Sequence, residues 1–282
     1  MTTRTRPGIK GRGSTGYLPG RFAVTTADAV DDGWHDADTE GDPSSSPQTE
    51  LHEEVARSVI TRNSSPDIPF EQSLNPYRGC EHGCIYCYAR PTHSYLNLSP
   101  GLDFETRIIA KRNIAAVLRS ELLRPAYAPD LLAIGTVTDA YQPVERELRL
   151  TRQVLEVLHT AHHPLAMVTK GSGVERDIDL LAPMGAQRLA AVYVTITTLD
   201  AQLARILEPR AAAPHRRLRT IRTLAEAGVP TGVSVSPQIP FINDDMERVL
   251  EAAYEAGARR AFYQVLRLPW ELRDMFRLWL EQ

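Results

Sequence analysis

The sequence has no run of about 18 uncharged apolar residues, so it offers no candidate membrane-spanning helix. Its N-terminus, MTTRTRPGIKGRG, lacks the apolar stretch of a secretory signal, and a cytoplasmic location is the default expectation. Neither sign of charge is in excess: the formal net charge is -3 over 282 residues. That balance argues against a protein that holds nucleic acid by bulk charge, while leaving room for a local basic groove. Cysteine is scarce. The three present, Cys80, Cys84 and Cys87, fall within eight positions. An odd, clustered set reads as a metal or cofactor site before a disulfide framework.

Large apolar residues are also sparse over 1–50, which carries Gly, Ser, Pro and the acids Asp31, Asp32, Asp36, Asp38, Glu40 and Asp42. Such a stretch buries too little surface to offset its ordering entropy, so 1–50 is expected to be a disordered N-terminal segment. Its basic residues Arg4, Arg6, Lys10 and Arg12 read as part of a solvated tail. Residues 51–74 form a transition in which Pro66 and Pro69 break any long helix. Residues 75–282 are expected to be the core domain.

What is there, from Asn75 onward, is alternation. Strand candidates are Asn75–Arg78, Leu131–Thr136, Leu165–Thr169, Leu189–Thr198, Thr231–Ile239 and Arg260–Leu266. Helix candidates cover 113–124, 144–161, 175–186, 213–227, 246–256 and 270–281. Met246, Val249, Leu250 and Ala253 have amphipathic helical spacing, and Leu218, Ile221 and Ala225 fit the same stripe. Gly228 and Gly257 stand where helices end. Six strand–helix units imply an α/β fold with a parallel sheet and right-handed crossovers. Periodicity does not choose between an open partial barrel and a doubly wound sheet. Either way, ligands gather at the C-terminal ends of the strands.

The segment NPYRGCEHGCIYCYARPTH reads Cys80-x3-Cys84-x2-Cys87, with Tyr86 just before the last cysteine. Soft thiolates bind iron–sulfur clusters well, and three of them can hold three corners of a cubane and leave the fourth iron open to a small chelating molecule. Gly79 and Gly83 suit a tight loop. Three other readings stand beside this one: zinc held by the cysteines with His82 or His93, a cluster used only for electron transfer, and inert core cysteines.

The cysteine pattern resembles the signature of the radical S-adenosylmethionine superfamily. Across Asn75–Pro269 the chain is similar to its spore photoproduct lyase-like branch, also labelled DNA repair photolyase-like. The motifs NPYRGCEHGCIYCYARPTH and SPGLDFETRI resemble a largely uncharacterised subgroup of it. The resemblance implies a (βα)6 partial TIM barrel with the cluster loop after the first strand. It implies a [4Fe–4S] cluster on Cys80, Cys84 and Cys87, reduced by a donor such as flavodoxin or ferredoxin. It also implies reductive cleavage of S-adenosyl-L-methionine to a 5′-deoxyadenosyl radical. The substrate is unknown, with nucleic acid the favoured class. A zinc-stabilised or cluster-bearing nucleic-acid-binding protein without catalysis is the alternative.

The resemblance further marks Tyr86 beside the cluster, Thr138 and Asp139 at the second strand's end, Lys170 at the third, and Arg210 within Glu208-Pro209-Arg210 as cofactor contacts. Val137 and Ala140 replace the Asn and Pro usual in related sequences. Thr195 and Thr197 share one strand face, so their hydroxyls are candidates for a ribose. Photoproduct lyases of the best-known mode use a further cysteine as hydrogen donor. Every cysteine here is committed to the cluster, which leaves Tyr141 as the catalytic candidate and no ligands for a second cluster. The run His215–Arg222 reads as a solvated basic face. Similar sequences usually continue past the last helix, and loss of such a piece is expected to expose that helix's apolar face.

Overall fold

The computed structural model describes residues 9, 11–14, 16–23 and 47–281. Among these, ten strands form: β1 (Glu50–Glu54), β2 (Ile60–Arg62), β3 (Gln72–Leu74), β4 (Tyr77–Arg78), β5 (Arg107–Lys111), β6 (Leu132–Ile134), β7 (Leu165–Thr169), β8 (Ala190–Thr195), β9 (Thr231–Gln238) and β10 (Arg260–Val265). The helices are α1 (Leu102–Thr106), α2 (Ile114–Leu122), α3 (Glu145–Leu148), α4 (Leu150–Thr160), α5 (Ile178–Ala186), α6 (Ala201–Leu207), α7 (Pro214–Glu226), α8 (Met246–Glu255) and α9 (Glu271–Leu280).

The main sheet has the order β10-β9-β8-β7-β6-β3-β2. β3 and β6 to β10 are parallel throughout, and β2 adds antiparallel to the outer edge of β3. This is the partial barrel the sequence leads one to expect. Apolar residues alternate along β7, where Leu165 and Met167 are buried and Ala166 and Val168 are half-buried. The main core lies between the sheet and its helices, with Leu118, Val154, Leu158, Leu181, Ile221, Leu224 and Val249 packed on Leu132, Met167, Val192 and Val233.

The first barrel strand is not Asn75–Arg78 but Gln72–Leu74, inside the stretch read as a transition. Its polar opening disguises it: Gln72 is buried, donating to the Ala128 carbonyl at 3.0 Å and accepting from the Tyr127 hydroxyl at 2.7 Å. Pro76, which has no N–H to donate, interrupts the stretch chosen instead. Tyr77–Arg78 joins a second sheet, β1-β5-β4, in which β1 is charged and mostly exposed while β5 buries Ile108 and Ala110. The helix expected over 144–161 is two helices, divided at Arg149, whose backbone is left-handed (φ 51°). α6 was also missed. Of the segment expected to be disordered, most lies outside the described residues. Residues 11–14 and 16–23, by contrast, lie against the cysteine loop, with Arg12 and Ser14 buried.

The apolar face of α9 is covered. Leu272, Met275 and Phe276 pack with Cys84, Ile85, Tyr86, Leu207 and Ile239.

Candidate functional site

The cysteine loop leaves β4 at the C-terminal end of the barrel and is held by its backbone. The Cys80 N–H donates to the Phe104 carbonyl at 2.8 Å, that of Cys87 to the Cys84 carbonyl at 3.2 Å, and that of Arg90 to the Cys87 carbonyl at 3.1 Å. Two turns require glycine. Gly79 (φ 80°) and Gly83 (φ 68°) adopt left-handed backbone, and a Cβ on either would meet Phe104 O at 2.9 Å or the Glu105 carboxylate at 2.7 Å. All three cysteines are free; Cys80 and Cys84 are buried and Cys87 is half-buried.

The end of β6 clamps this loop from the barrel side. The Thr138 hydroxyl donates to the Gly79 carbonyl at 2.5 Å, and Gln142 Nε2 donates to the same carbonyl at 3.2 Å. Gln142 Oε1 in turn accepts from the Glu81 N–H at 2.9 Å. The Asp139 carboxylate ties three elements together. It accepts from the Tyr141 N–H (2.8 Å), the Thr169 hydroxyl (2.7 Å) and the Lys170 N–H (2.6 Å), and lies 3.3 Å from His82 Nδ1. Burial works against its charge, but the His82 ring and these donors outweigh it and hold the carboxyl below its usual range. Asp139 therefore spends its oxygens positioning β7 and the turn.

Behind the loop lies a buried network that the sequence did not disclose. Tyr86 donates its hydroxyl to Glu208 Oε1, Thr197 Oγ1 donates to the same oxygen at 3.1 Å, and Arg217 Nη2 donates to Glu208 Oε2. Arg217 also donates to the Thr195 carbonyl at 2.9 Å. Arg217 is 1% exposed, so the basic run is solvated only around it. The signal was present: Pro214, Arg217, Ile221 and Leu224 have the spacing of the buried stripe. The stripe is one residue away from Leu218 and Ala225, which are only half-buried. Arg210 projects at the rim, its Nη2 3.4 Å from Glu81 Oε1.

Lys170 stands over the Tyr86 ring, its Nζ 5.7 Å from the centroid. Burial would lower its pKa, but the Cys84 sulfur, when ionised, and the Glu208 carboxylate raise it further than burial lowers it. It is one of only three lysines in the chain, with Lys10 and Lys111, among 32 Lys and Arg residues. Tyr141 is placed differently. Its hydroxyl donates to Asp177 at 2.8 Å and its ring sits in the core between sheet and helices, so it is not poised as a donor at the cysteine loop.

The donor set fits a cluster. Burial pushes the Cys84 thiol up to about 12 despite Lys170, and burial with Asp139 raises Cys80 as well. Thiols in such a setting stay protonated alone and ionise on binding iron, the usual linkage for thiolate ligands. His82 is occupied beside Asp139, and His93 Nε2 lies 3.1 Å from the Arg107 carbonyl with its ring edge-on to Phe104. Each histidine thus has one ring nitrogen beside an oxygen of the protein. Among the described residues no three His, Cys, Asp or Glu side chains converge on a position for a single metal ion.

Comparison with known proteins adds three findings. A family profile described as the radical SAM superfamily matches residues 74–253. Uncharacterized proteins of Mycobacterium tuberculosis and Mycobacterium bovis are each 36% identical over 234 residues, 82% of this chain and 69% of theirs. A spore photoproduct lyase variant with bound AdoMet and dinucleoside spore photoproduct has a TM-score of 0.61 at 17% identity, over 82% of this chain and 66% of that one. The chain thus spans just under two thirds of the lyase's length, and the likeness is one of fold.

Proposed function

Because the chain belongs to the radical SAM superfamily, we propose that it is a radical enzyme in which Cys80, Cys84 and Cys87 hold a [4Fe–4S] cluster and S-adenosyl-L-methionine binds at the barrel mouth. When bound, such a cluster supplies the electron that splits S-adenosylmethionine into methionine and a 5′-deoxyadenosyl radical. The observation that carries the reading is the loop itself: three free cysteines, spaced x3 and x2, at the strands' C-terminal end and inside the region the family profile matches.

The chain's own residues orient and shield. Thr138 and Gln142 fix the Gly79 carbonyl and with it the approach to Cys80. Lys170 brings a positive charge to the side of Cys84 and can take the cofactor's carboxylate. The Arg210 fork is partly exposed and suits the same group bidentately. Thr195 and Thr197 line the strand beside them, and Tyr86 offers its ring face with its hydroxyl spent on Glu208. Asp139 acts through the backbone of Lys170.

For substrate, the fold shared with photoproduct lyases supports nucleic acid. The lyase reaction itself is not proposed: the chain has no cysteine beyond the loop, and the Tyr141 hydroxyl is bound to Asp177. The chemistry requires a one-electron reductant, a role that a flavodoxin or ferredoxin suits.

Anaerobic treatment with ferrous iron and sulfide is expected to give about four irons per chain and a broad visible absorption, both lost in Cys84→Ala. Dithionite with S-adenosylmethionine is then expected to release 5′-deoxyadenosine. A colourless protein that takes up one zinc overturns the reading; iron without 5′-deoxyadenosine reduces it to a cluster that does no radical chemistry.

A further inference from the structure

We infer that residues 12–14 and 16–23 are a strap that completes the cysteine loop, and that Glu105 is the positioning residue through which the strap holds Cys84. For the loop's role in binding a cluster, this rests on the function proposed above.

Glu105 is fully buried, and its carboxylate is shared between the strap and the loop. From the strap it accepts the Gly13 N–H at 3.1 Å and the Ser14 N–H at 2.8 Å, a pair of adjacent backbone donors closing on one anion. From the loop side it accepts Arg90 Nη2 at 2.5 Å. Arg90, also fully buried, donates through Nε to the Cys84 carbonyl at 2.9 Å and through Nη1 to the Gly101 carbonyl at 2.9 Å. A single line of donors and acceptors therefore runs from the strap backbone through carboxylate and guanidinium to the backbone of the second cysteine. Arg12 reinforces it, donating from Nη1 to the Glu105 carbonyl at 2.9 Å.

The strap also touches the loop directly. A Cβ built on Gly13 would lie 1.8 Å from the Gly83 carbonyl oxygen, so the two glycines meet backbone to backbone at the residue just before Cys84. No side chain can replace hydrogen at Gly13 without moving one of them.

Further along, the strap stays attached. Gly16 accepts from the Leu102 N–H at 3.2 Å, and the Leu18 N–H donates to Ser99 Oγ at 2.8 Å. A second carboxylate ends it. Glu271, at the start of α9, accepts the Arg21 N–H at 2.7 Å and Arg21 Nη1 at 3.1 Å. The Arg21 guanidinium lies 4.1 Å from the Trp270 ring and 4.9 Å from that of Tyr95. A breach at Gly13 or Glu105 frees the Cys84 carbonyl from its support while leaving the barrel strands untouched.

The test uses the full chain carrying Gly13→Ala, with two measurements. In the metal-free protein, hydrogen exchange at the amides of Cys87 and Arg90 is expected to speed up at least tenfold, with no change in β7 and β8. After treatment with ferrous iron and sulfide, iron per chain is expected to fall at least threefold. Unchanged exchange and full iron content overturn the inference, as does faster exchange spread evenly over the barrel, the mark of a merely structural role. The exchange measurement needs no metal, so it judges the strap even if the wild-type chain takes up no iron and the cluster reading fails. Should Gly13→Ala be insoluble, Glu105→Gln, which keeps the side chain's size and removes its charge, is read by the same two measurements.

Discussion

At the scale of the residue, the buried Glu208–Arg217 pair decides most. Two charges out of water are tolerated because Tyr86, Thr197 and the Thr195 and Ala212 carbonyls satisfy the remaining valences. Arg217→Met is expected to cost about 3–5 kcal/mol in denaturant unfolding, since it strands a carboxylate, and Glu208→Gln on top of it is expected to recover much of that loss. His163 supplies a pH dependence. Its ring is buried, with Nε2 2.7 Å from the Tyr127 hydroxyl, and burial lowers its pKa from the ordinary 6.5. The unfolded chain then takes up the proton first. Stability from this residue is full above the ordinary value and is lost as pH falls through it. Melting temperatures compared at pH 8 and pH 5.5 are expected to differ less in His163→Gln than in wild type. The three cysteines were legible because their spacing alone carries the chemistry. Arg217 was legible only through its place on the buried helix stripe and Glu105 not at all, because a charged residue reads as solvated until its partner is known.

Elements follow the same division. The four strands β7 to β10 were legible from their apolar, β-branched runs. β3 was not, since Gln72 hides in the core by satisfying both ends of its amide. In the small sheet β1-β5-β4, β1 is a charged run with no apolar alternation, and β5 is only five residues with its alternation masked by the apolar Ile109 between Ile108 and Ala110. The break between α3 and α4 could not be seen either, because Arg149 is an ordinary helix former. It is exposed and holds a conformation that costs an L-residue about 1–2 kcal/mol. Arg149→Gly is therefore expected to raise stability by up to about 1 kcal/mol, the gain in backbone strain exceeding the entropy glycine adds to the unfolded chain. Thermal unfolding with and without the change measures it.

On the scale of the whole molecule, both distant parts of the described chain close on one loop. α9 does so by apolar contact, where the sequence led one to expect an exposed apolar face. The strap does so by backbone hydrogen bonds to Glu105 and Glu271, and bonds of that sort leave no trace in hydropathy; a Gly-rich, polar segment looks solvated whether or not its N–H groups find carboxylates. Phe276→Ala is expected to cost about 3–5 kcal/mol and to open the apolar cluster over Cys84. Alkylation of the metal-free protein, followed by mass spectrometry, should then label Cys84 several-fold faster than in wild type; an unchanged rate means the helix does not guard the thiol.

The bond from Arg21 to Glu271 joins positions 250 residues apart. During synthesis Cys80, Cys84 and Cys87 leave the ribosome well before Glu271 and Phe276, by roughly 10–40 s at ordinary elongation rates. Through that interval the Cys84 thiol lacks the cover that Leu272, Met275 and Phe276 give it in the folded chain. In the folded chain Cys87 is the one loop cysteine left half-buried, so a thiol reagent is expected to meet it first.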